Sequence, residues 1–290
     1  MHFLVYMNLK QRLQNQSIIP AGEIYIKKKK LFHHYNLLVI FIWVFYQGQM
    51  DRNTQRKGIN MKISIIIPTF NEAENMGSLV GYLLKHGGEL LAEVIVSDGG
   101  STDDTLLIAQ NSGAISVVSP YKGRAAQMNY GASLGTGDLY YFIHADSFPP
   151  PDFTTDIEQM VKQGYSFGRY RTKFNTDRRM LKINAFFTRF DWFVCYGGDQ
   201  TLFITKTLFE AINGFDASFR IMEDYDIVMR AKEKARYAII QKDTLVSARK
   251  YDTNSWWRVQ RANYTIVQMF KKGATQEQMV TRYKELLTYR

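Results

Sequence analysis

Short β-branched runs alternate with segments of helical periodicity along the chain from Met61 onward. The first run, Lys62 to Ile67, is closed by Pro68 and is followed by apolar residues at helical spacing up to Gly87. The further predicted strands are Glu93 to Val96, Ile115 to Val118, Leu139 to Ile143 and Thr201 to Ile204. This alternation is typical of an α/β protein. We therefore expect a Rossmann-like, mostly parallel sheet with helices on both faces.

Helical periodicity also predicts where the later helices lie. We expect a helix capped by Thr102 and running through Ala109. The other predicted helices are Ala125 to Leu134, Arg178 to Phe190, Glu223 to Lys234 and Ser255 to Lys272. The last of these is amphipathic, which favours packing on the core; an alternative is contact with a membrane surface.

Polar residues gather where three of the predicted strands end. In a parallel sheet those ends meet at one edge, where ligands bind. The residues in question are Thr69, Asn71, Glu72, Asp98, Gly99, Gly100, His144 and Asp146. Each of them alone is more often a turn former or helix cap. Carboxylates from successive strand ends would repel one another without a cation or ligand donor nearby, so their joint placement indicates a binding site.

Most of the positive charge lies in the first sixty residues. The chain has a formal net charge of +10, and residues 1–60 contribute 9 Lys and Arg against 2 Asp and Glu. The nearly neutral remainder argues against a nucleic-acid groove. The apolar run Leu37 to Tyr46 is shorter than the roughly 20 residues that a membrane span needs. We interpret residues 1–60 as an upstream extension with Met61 as the natural start; a surface-adhering leader is the alternative.

Cys195 is the only cysteine. It excludes an intrachain disulfide and a thiolate metal site, and it favours a reducing compartment. A bound cation would therefore use carboxylates, histidine and oxygen atoms of the ligand, which favours Mg²⁺ or Mn²⁺. We expect a cytoplasmic protein, with peripheral contact to the inner face of the membrane as an alternative.

Six motifs occur in a fixed order: IIIPTFNE from Ile65, VIVSDGGSTDDT from Val94, KGRAAQMNYGA from Lys122, FIHAD from Phe142, GDQ from Gly198 and MEDYDIVMR from Met222. In this order they resemble the family 2 glycosyltransferases of the GT-A fold. They are most similar to a compact bacterial subgroup associated with radical-SAM and selenium-related proteins. The resemblance covers residues 61 to about 285 and leaves 1–60 unmatched.

The resemblance implies a nucleotide-sugar site at the sheet edge. Pro68, Thr69, Asn71 and Glu72 would line the nucleoside pocket, and Asp98 would hydrogen-bond the base or ribose. Gly99 would let the backbone approach the ligand closely. Arg124 would contact the nucleotide, with Asn129 supporting its loop, and Arg249 would contact the diphosphate. Asp199 and Gln200 would border the acceptor or the donor sugar.

The resemblance also implies a metal. Asp146 matches the final Asp of the family's D-x-D motif, where Mg²⁺ or Mn²⁺ bridges the two phosphates. His144 stands where the first Asp is usual. It would ligate the metal or contact phosphate, or it is a buried, hydrogen-bonded histidine at a strand end.

The resemblance assigns the catalytic role to the Glu-Asp pair of the sixth motif. Asp224 matches the general base that takes the acceptor proton in an inverting displacement, with Glu223 as the alternative. On spacing alone, both residues would also suit the first turn of a helix, where the helix dipole favours acidic side chains.

We divide the chain accordingly. Residues 1–60 form the leader, 61–146 the nucleotide-binding half, 147–250 the acceptor and catalytic half, and 251–290 the C-terminal amphipathic helices. The expected donor is a UDP- or GDP-linked sugar, and the acceptor is open, with a lipid-linked acceptor among the options. The alternatives are a polyprenyl-phosphate sugar transferase on the same fold and a catalytically inactive nucleotide-sugar or glycan-binding protein.

Overall fold

A computed structural model describes residues 61–197 and 200–288. Their strands form one eight-stranded sheet in the order β3-β2-β1-β4-β7-β6-β8-β5. The strands are β1 (Ile63–Thr69), β2 (Leu91–Asp98), β3 (Ile115–Val118), β4 (Leu139–Phe142), β5 (Ser147–Phe148), β6 (Phe167–Phe174), β7 (Leu202–Thr205) and β8 (Tyr237–Val246). The predictions for residues 1–60 lie outside the described residues and stay predictions.

Ten α-helices accompany the sheet in the described ranges. They are α1 (Ala73–Gly87), α2 (Thr105–Asn111), α3 (Arg124–Leu134), α4 (Phe153–Lys162), α5 (Arg179–Phe187), α6 (Lys206–Ala211), α7 (Glu223–Lys232), α8 (Lys250–Thr253), α9 (Trp256–Lys271) and α10 (Gln276–Leu286). Two short 3₁₀ segments, Gly88–Leu90 and Phe193–Cys195, complete them.

The first four strands are parallel, as predicted. β1 lies between β2 and β4, and β3 pairs with β2. The direction reverses at β7, which runs antiparallel to both β4 and β6. The carboxyl ends of β1, β2 and β4 therefore meet at one edge, where the predicted polar residues lie.

Both faces of the sheet are covered by helices, which confirms the predicted architecture. Ile65 and Ile67 of β1 pack with α1, α2 and α4 on one face, and Ile66 packs with α3, α6, α7 and α9 on the other. This split follows from the alternation of side chains along a strand. A third cluster, which includes Phe174, Leu181 and Val259, joins β6 and β8 to α5, α8 and α9.

Thr102 does not cap a helix, contrary to the sequence prediction. Helix α2 begins at Thr105, and its N-cap position is held by Asp104, whose side chain makes no capping bond. The Thr102 backbone N–H instead donates to the Asn71 side-chain oxygen at 2.9 Å. A residue in a turn has other partners available, and here a neighbouring loop supplies one.

The C-terminal helix α9 packs on the core through one face, burying Val259, Ala262, Ile266 and Val267. This favours the packing interpretation for that face. In the part of the chain that the structure describes, no helix is both long and apolar enough to cross a membrane.

Candidate active site

Asp98 organises the loop that follows β2. Its carboxylate is buried and accepts the backbone N–H groups of Gly100 at 2.9 Å and Ser101 at 2.8 Å, together with the Ser101 hydroxyl. Three donors on one carboxylate compensate for its burial. The loop therefore holds a fixed shape beside the carboxyl end of β1.

Asn71 ties the loop after β1 to the loop after β2. Its backbone has a left-handed φ of 53°, a region in which asparagine is better tolerated than most residues. The Asn71 N–H donates to the Ser101 hydroxyl oxygen at 2.8 Å, and its side-chain oxygen accepts from Thr102. Two of the predicted binding residues, Asn71 and Asp98, thus share Ser101, which the sequence analysis did not single out.

Gln127 is a second residue that the sequence analysis missed. It is buried on α3, and its Nε2 donates to the carbonyl oxygens of Thr69 at 2.8 Å and Ser97 at 3.1 Å. It thereby joins the ends of β1 and β2. Its placement as a polar residue amid the apolar face of a helix was the available signal.

Gly99 lies directly against Gln127. A Cβ at Gly99 would lie 2.7 Å from Gln127 Nε2 and 3.4 Å from the carbonyl oxygen of Thr69. The Gly99 N–H donates to that same carbonyl oxygen at 2.8 Å. The close approach seen at this glycine is therefore to Gln127, and the approach to a ligand that the resemblance implies stays a prediction.

Arg249 brings two predicted carboxylates together. Its guanidinium forms a salt bridge with Glu72, and its Nη2 lies 3.6 Å from Asp146 Oδ2. The hydrogen bond with Glu72 raises the pKa of the Arg249 guanidinium further above its ordinary value. The structure therefore places a permanent positive charge between the loop after β1 and the segment after β4.

Asp146 and His144 follow β4, where the predicted metal would bind. Both residues are partly exposed. Among residues 61–197 and 200–288, no three His, Cys, Asp or Glu side chains form a group that could hold a metal by themselves. Mg²⁺ and Mn²⁺ sites often use one or two carboxylates and take their remaining ligands from phosphate and water. A single Asp carboxylate with a neighbouring His fits that pattern.

The Glu-Asp pair opens helix α7 and faces Arg124, the first residue of α3. The Arg124 Nε hydrogen-bonds Glu223, and its Nη2 lies 3.3 Å from Asp224 Oδ2. The Glu223 side chain is only 1% exposed, whereas that of Asp224 is 18% exposed. Of the two acids, Asp224 is the one that a substrate can reach.

The residue before this pair has an unusual backbone. Met222 adopts a left-handed φ of 70° at the N-cap position of α7, and its side chain is buried. A non-glycine residue in this region costs of order 1–3 kcal/mol and persists only where its surroundings fix it. The turn orients the first residues of α7 toward Arg124.

Asp224 lines a groove of about 980 Å³. Arg124 and Gln200 line the same groove, and the Gln200 Nε2 donates to the Cys195 carbonyl oxygen. Gln200 Oε1 is buried without a hydrogen-bond partner among the described residues. Asp199, predicted to lie beside Gln200 in the site, falls outside the described residues.

Asn129 lies on α3, five residues after Arg124. Its Nδ2 donates to the Phe215 carbonyl oxygen at 2.7 Å, and its Oδ1 accepts the Phe215 N–H at 2.9 Å. The two bonds fix α3 to the segment that leads toward α7. The structure thus brings Asn129 into contact with the support of the site, and its predicted role toward nucleotide stays a prediction.

The site has two neighbouring parts. On one side, Asp98, Asn71 and the close approach at Gly99 form a polar cradle at the ends of β1 and β2. On the other, Asp224 faces an open groove. Arg249 and Arg124 place positive charge at each part, an arrangement suited to an anionic ligand that reacts next to a carboxylate.

A family model described as "Glycosyl transferase family 2" matches residues 64–223, more than half of the chain. Among the curated proteins, glucosyl-3-phosphoglycerate synthase of Mycolicibacterium smegmatis is 33% identical over 141 residues. That match covers 42% of this chain and 43% of the relative, so the chain matches less than half of that protein's length.

Two solved structures resemble the fold at low identity. The mannosyltransferase of Pyrobaculum calidifontis in complex with GDP-Man and Mn²⁺ has a TM-score of 0.58 at 15% identity, covering 88% of this chain and 78% of that one. Glucosyl-3-phosphoglycerate synthase of Mycobacterium tuberculosis, in complex with Mn²⁺, UDP and glucosyl-3-phosphoglycerate, has a TM-score of 0.52 at 17% identity. It covers 78% of this chain and 80% of that one. Both matches concern the fold alone.

Proposed function

The chain belongs to glycosyl transferase family 2. We propose that it is a glycosyltransferase that transfers a sugar from a UDP- or GDP-linked donor with inversion at the anomeric carbon. The main support for this proposal is that Asp224 forms a salt bridge with Arg124 and also lines the groove, where a substrate can reach it. An inverting transfer needs one accessible base and no covalent nucleophile.

The donor nucleoside would bind in the cradle at the ends of β1 and β2. Pro68, Thr69, Asn71 and Glu72 would border it, with Asp98 and Gly99 at its floor. Solved relatives of this fold hold GDP-mannose or UDP together with Mn²⁺. Those ligands support a nucleoside diphosphate sugar and leave the base and the sugar open.

The diphosphate would lie between Arg249, Arg124 and Asp146. Asp146 would hold Mg²⁺ or Mn²⁺, with His144 as its neighbouring ligand or phosphate contact. When bound, such a cation neutralises charge on the departing nucleoside diphosphate. Arg249 adds fixed positive charge at the same place, and Arg124 orients the Glu-Asp pair.

In the transfer itself, the acceptor oxygen forms a bond to the anomeric carbon while the bond from that carbon to the diphosphate oxygen breaks. The acceptor proton passes to Asp224, and the electron pair of the broken bond leaves with the nucleoside diphosphate. Glu223 is too deeply buried to receive that proton, so its role is to hold Arg124. Asp199 and Gln200 would border the reacting sugar.

The test follows sugar release from UDP-glucose and GDP-mannose with and without Mn²⁺, alongside nucleotide binding measured by thermal shift. Asp224→Asn should bind nucleotide and lose turnover, whereas Asp146→Ala should lose the Mn²⁺-dependent part of nucleotide binding. Glu233→Gln, an exposed carboxylate just beyond the far end of α7, is the matched control. A folded protein that binds no nucleoside diphosphate would contradict the proposal.

A further inference from the structure

The groove beside Asp224 is larger than a reacting hydroxyl requires. Its volume of about 980 Å³ lies at the upper end of the range for ligand pockets. One wall comes from α5 and the segment that follows it, and the other from α9 and α10. Because Asp224 lines this groove, an acceptor lying in it can reach the proposed base.

Eight of the side chains that line the groove are aromatic. They are Phe174, Phe187, Trp192, Tyr225, Tyr251, Trp256, Tyr264 and Tyr283. Such side chains give an apolar chain or ring a large contact area. They suit an acceptor with a substantial apolar part.

The charge of the groove is strongly one-sided. Five cationic side chains of the described residues line it, against the single carboxylate of Asp224; they are Arg124, Arg220, Lys250, Lys271 and Lys284. Lys271 and Lys284 form no salt bridge with any residue from 61 to 197 or from 200 to 288. The Lys271 ammonium group lies over the Phe193 ring, 4.7 Å from its centroid. Positive charge beside apolar walls matches an anionic amphiphile.

Exposed apolar side chains continue from the groove onto the surface. Helix α5 fully buries only Leu181 and leaves Ile183 and Phe186 each 47% exposed. Across the groove, α9 leaves Trp257 74% exposed and Tyr264 67% exposed. We call the surface formed by Phe186, Phe187, Trp192, Val194, Trp257 and Tyr264 the aromatic rim. Soluble proteins rarely leave so many large apolar side chains together in water.

We propose that the acceptor is an anionic membrane lipid, and that the aromatic rim docks the protein on the membrane that holds it. The inference rests on the proposed function and adds the class of acceptor. The lipid's chain would lie along the aromatic walls, its anionic headgroup would meet Lys271 and Lys284, and its hydroxyl would reach Asp224. Tryptophan and tyrosine beside lysine and arginine are the residues that favour a membrane interface.

The test is co-sedimentation of the full chain with vesicles of phosphatidylcholine, with and without about 30% phosphatidylglycerol. The protein should bind the anionic vesicles and stay in solution with phosphatidylcholine alone. Glycerol 3-phosphate, a free headgroup, should leave vesicle binding unchanged. Displacement by glycerol 3-phosphate would identify a soluble anion site and overturn the proposal.

Variants separate the aromatic rim from the rest of the chain. Phe186→Glu and Trp257→Glu should each lower vesicle affinity at least about tenfold, since each places a charge where an apolar side chain enters the interface. Lys271→Gln should lower it about fivefold. Leu107→Glu changes a side chain on α2 whose exposure, 56%, lies between those of Phe186 and Trp257, and it should have no effect.

The outcomes are distinct. Vesicle binding that survives both rim substitutions would arise from another part of the chain, such as the basic residues 1–60, and would overturn the inference. Nucleotide binding is measured on the same samples and should be equal in all variants. If the unaltered protein binds no nucleotide, the proposed function is contradicted. If it binds nucleotide but no anionic vesicles, only the proposal of a lipid acceptor is contradicted.

Discussion

Arg249 Nη2 lies 3.6 Å from Asp146 Oδ2, so a fixed cation already contacts the carboxylate proposed to bind a divalent one. The same guanidinium pairs with Glu72. Because two cations repel each other at one carboxylate, Arg249 weakens the binding of a free metal ion and strengthens the binding of a diphosphate. The nucleotide and the metal should therefore bind better together than either does alone.

We predict that Arg249→Gln binds Mn²⁺ alone about three- to tenfold more tightly and binds nucleoside diphosphate without metal more weakly, as expected for a partly exposed pair. Isothermal titration of each ligand measures both effects. Arg282→Gln removes a comparably exposed arginine that pairs with Glu285 and should change neither affinity. Unchanged Mn²⁺ binding in Arg249→Gln would show that the two cations do not share Asp146.

The Glu-Asp pair should separate into a structural and a catalytic member. Asp224→Asn should lower turnover about 10²- to 10⁴-fold with donor binding retained. Glu223→Gln should instead lower the free energy of unfolding by about 1–3 kcal/mol, because a buried carboxylate loses a charge-assisted bond to Arg124. Urea unfolding and steady-state kinetics of both variants test this division. Full stability of Glu223→Gln would contradict the structural role of Glu223, and normal turnover of Asp224→Asn would contradict the catalytic role of Asp224.

Gly99→Ala should weaken nucleotide binding by at least about tenfold. The new methyl group would push Gln127 away from the ends of β1 and β2 and would thereby deform the floor of the cradle. Gly81→Ala is the matched control, since a Cβ there meets nothing within 4 Å. In the interior of α1, that change should stabilise the fold by about 0.5–1 kcal/mol. Equal nucleotide affinity in the two variants would exclude the close approach as a requirement.

Asp191 should make stability depend on pH. Burial raises the pKa of its carboxyl, but hydrogen bonds from Lys232 and Tyr196 outweigh burial and hold that pKa below its ordinary value. The folded state thus favours the carboxylate above about pH 4, the ordinary pKa, and loses this stabilisation as pH falls through the lower folded-state pKa. Asp191→Asn should cost about 0.5–1 kcal/mol at pH 7 and progressively less toward pH 2. Urea unfolding across that range measures it, and a cost independent of pH would contradict the assignment.

The first half of the described fold followed closely from local pattern. Strand β3 was predicted with its observed bounds, and helix α3 was predicted to within one residue of its start. Helix α3 buries Ala125, Met128 and Ala132. Ile115 and Val118 of β3 stay exposed, because β3 is an edge strand of the sheet. The turns were harder to predict, since the bonding partner of Thr102 is set by the loop that carries Asn71.

Strands β6 and β8 had no counterpart in the sequence prediction. β6 holds buried Arg169, and β8 has a run of exposed polar residues around Lys242. Both strands owe their state to long-range pairing with each other, which no local window contains. The exposed stripe of α5 was unpredictable for a similar reason, because periodicity gives the apolar face of a helix and not what lies against it.

The candidate site residues were found as a set through the order of their motifs, and their individual contacts needed the structure. Gln127 and Ser101 connect several of them, yet neither residue type is distinctive in a sequence. Periodicity likewise could not show that Glu223 is buried and Asp224 accessible, because the packing of the helix decides which of two neighbouring positions is buried.

The left-handed turn at Met222 has an evolutionary consequence. A conformational cost of order 1–3 kcal/mol is a large fraction of the marginal stability of an ordinary domain. Glycine would relieve the strain, but it would also remove a core side chain that is only 8% exposed, a loss that typically costs about 2–5 kcal/mol. Packing therefore fixes this turn, and glycine here would lower stability and hold Asp224 less rigidly. A heat-selected library of this protein should keep a large apolar side chain at position 222 even when screening for turnover is omitted.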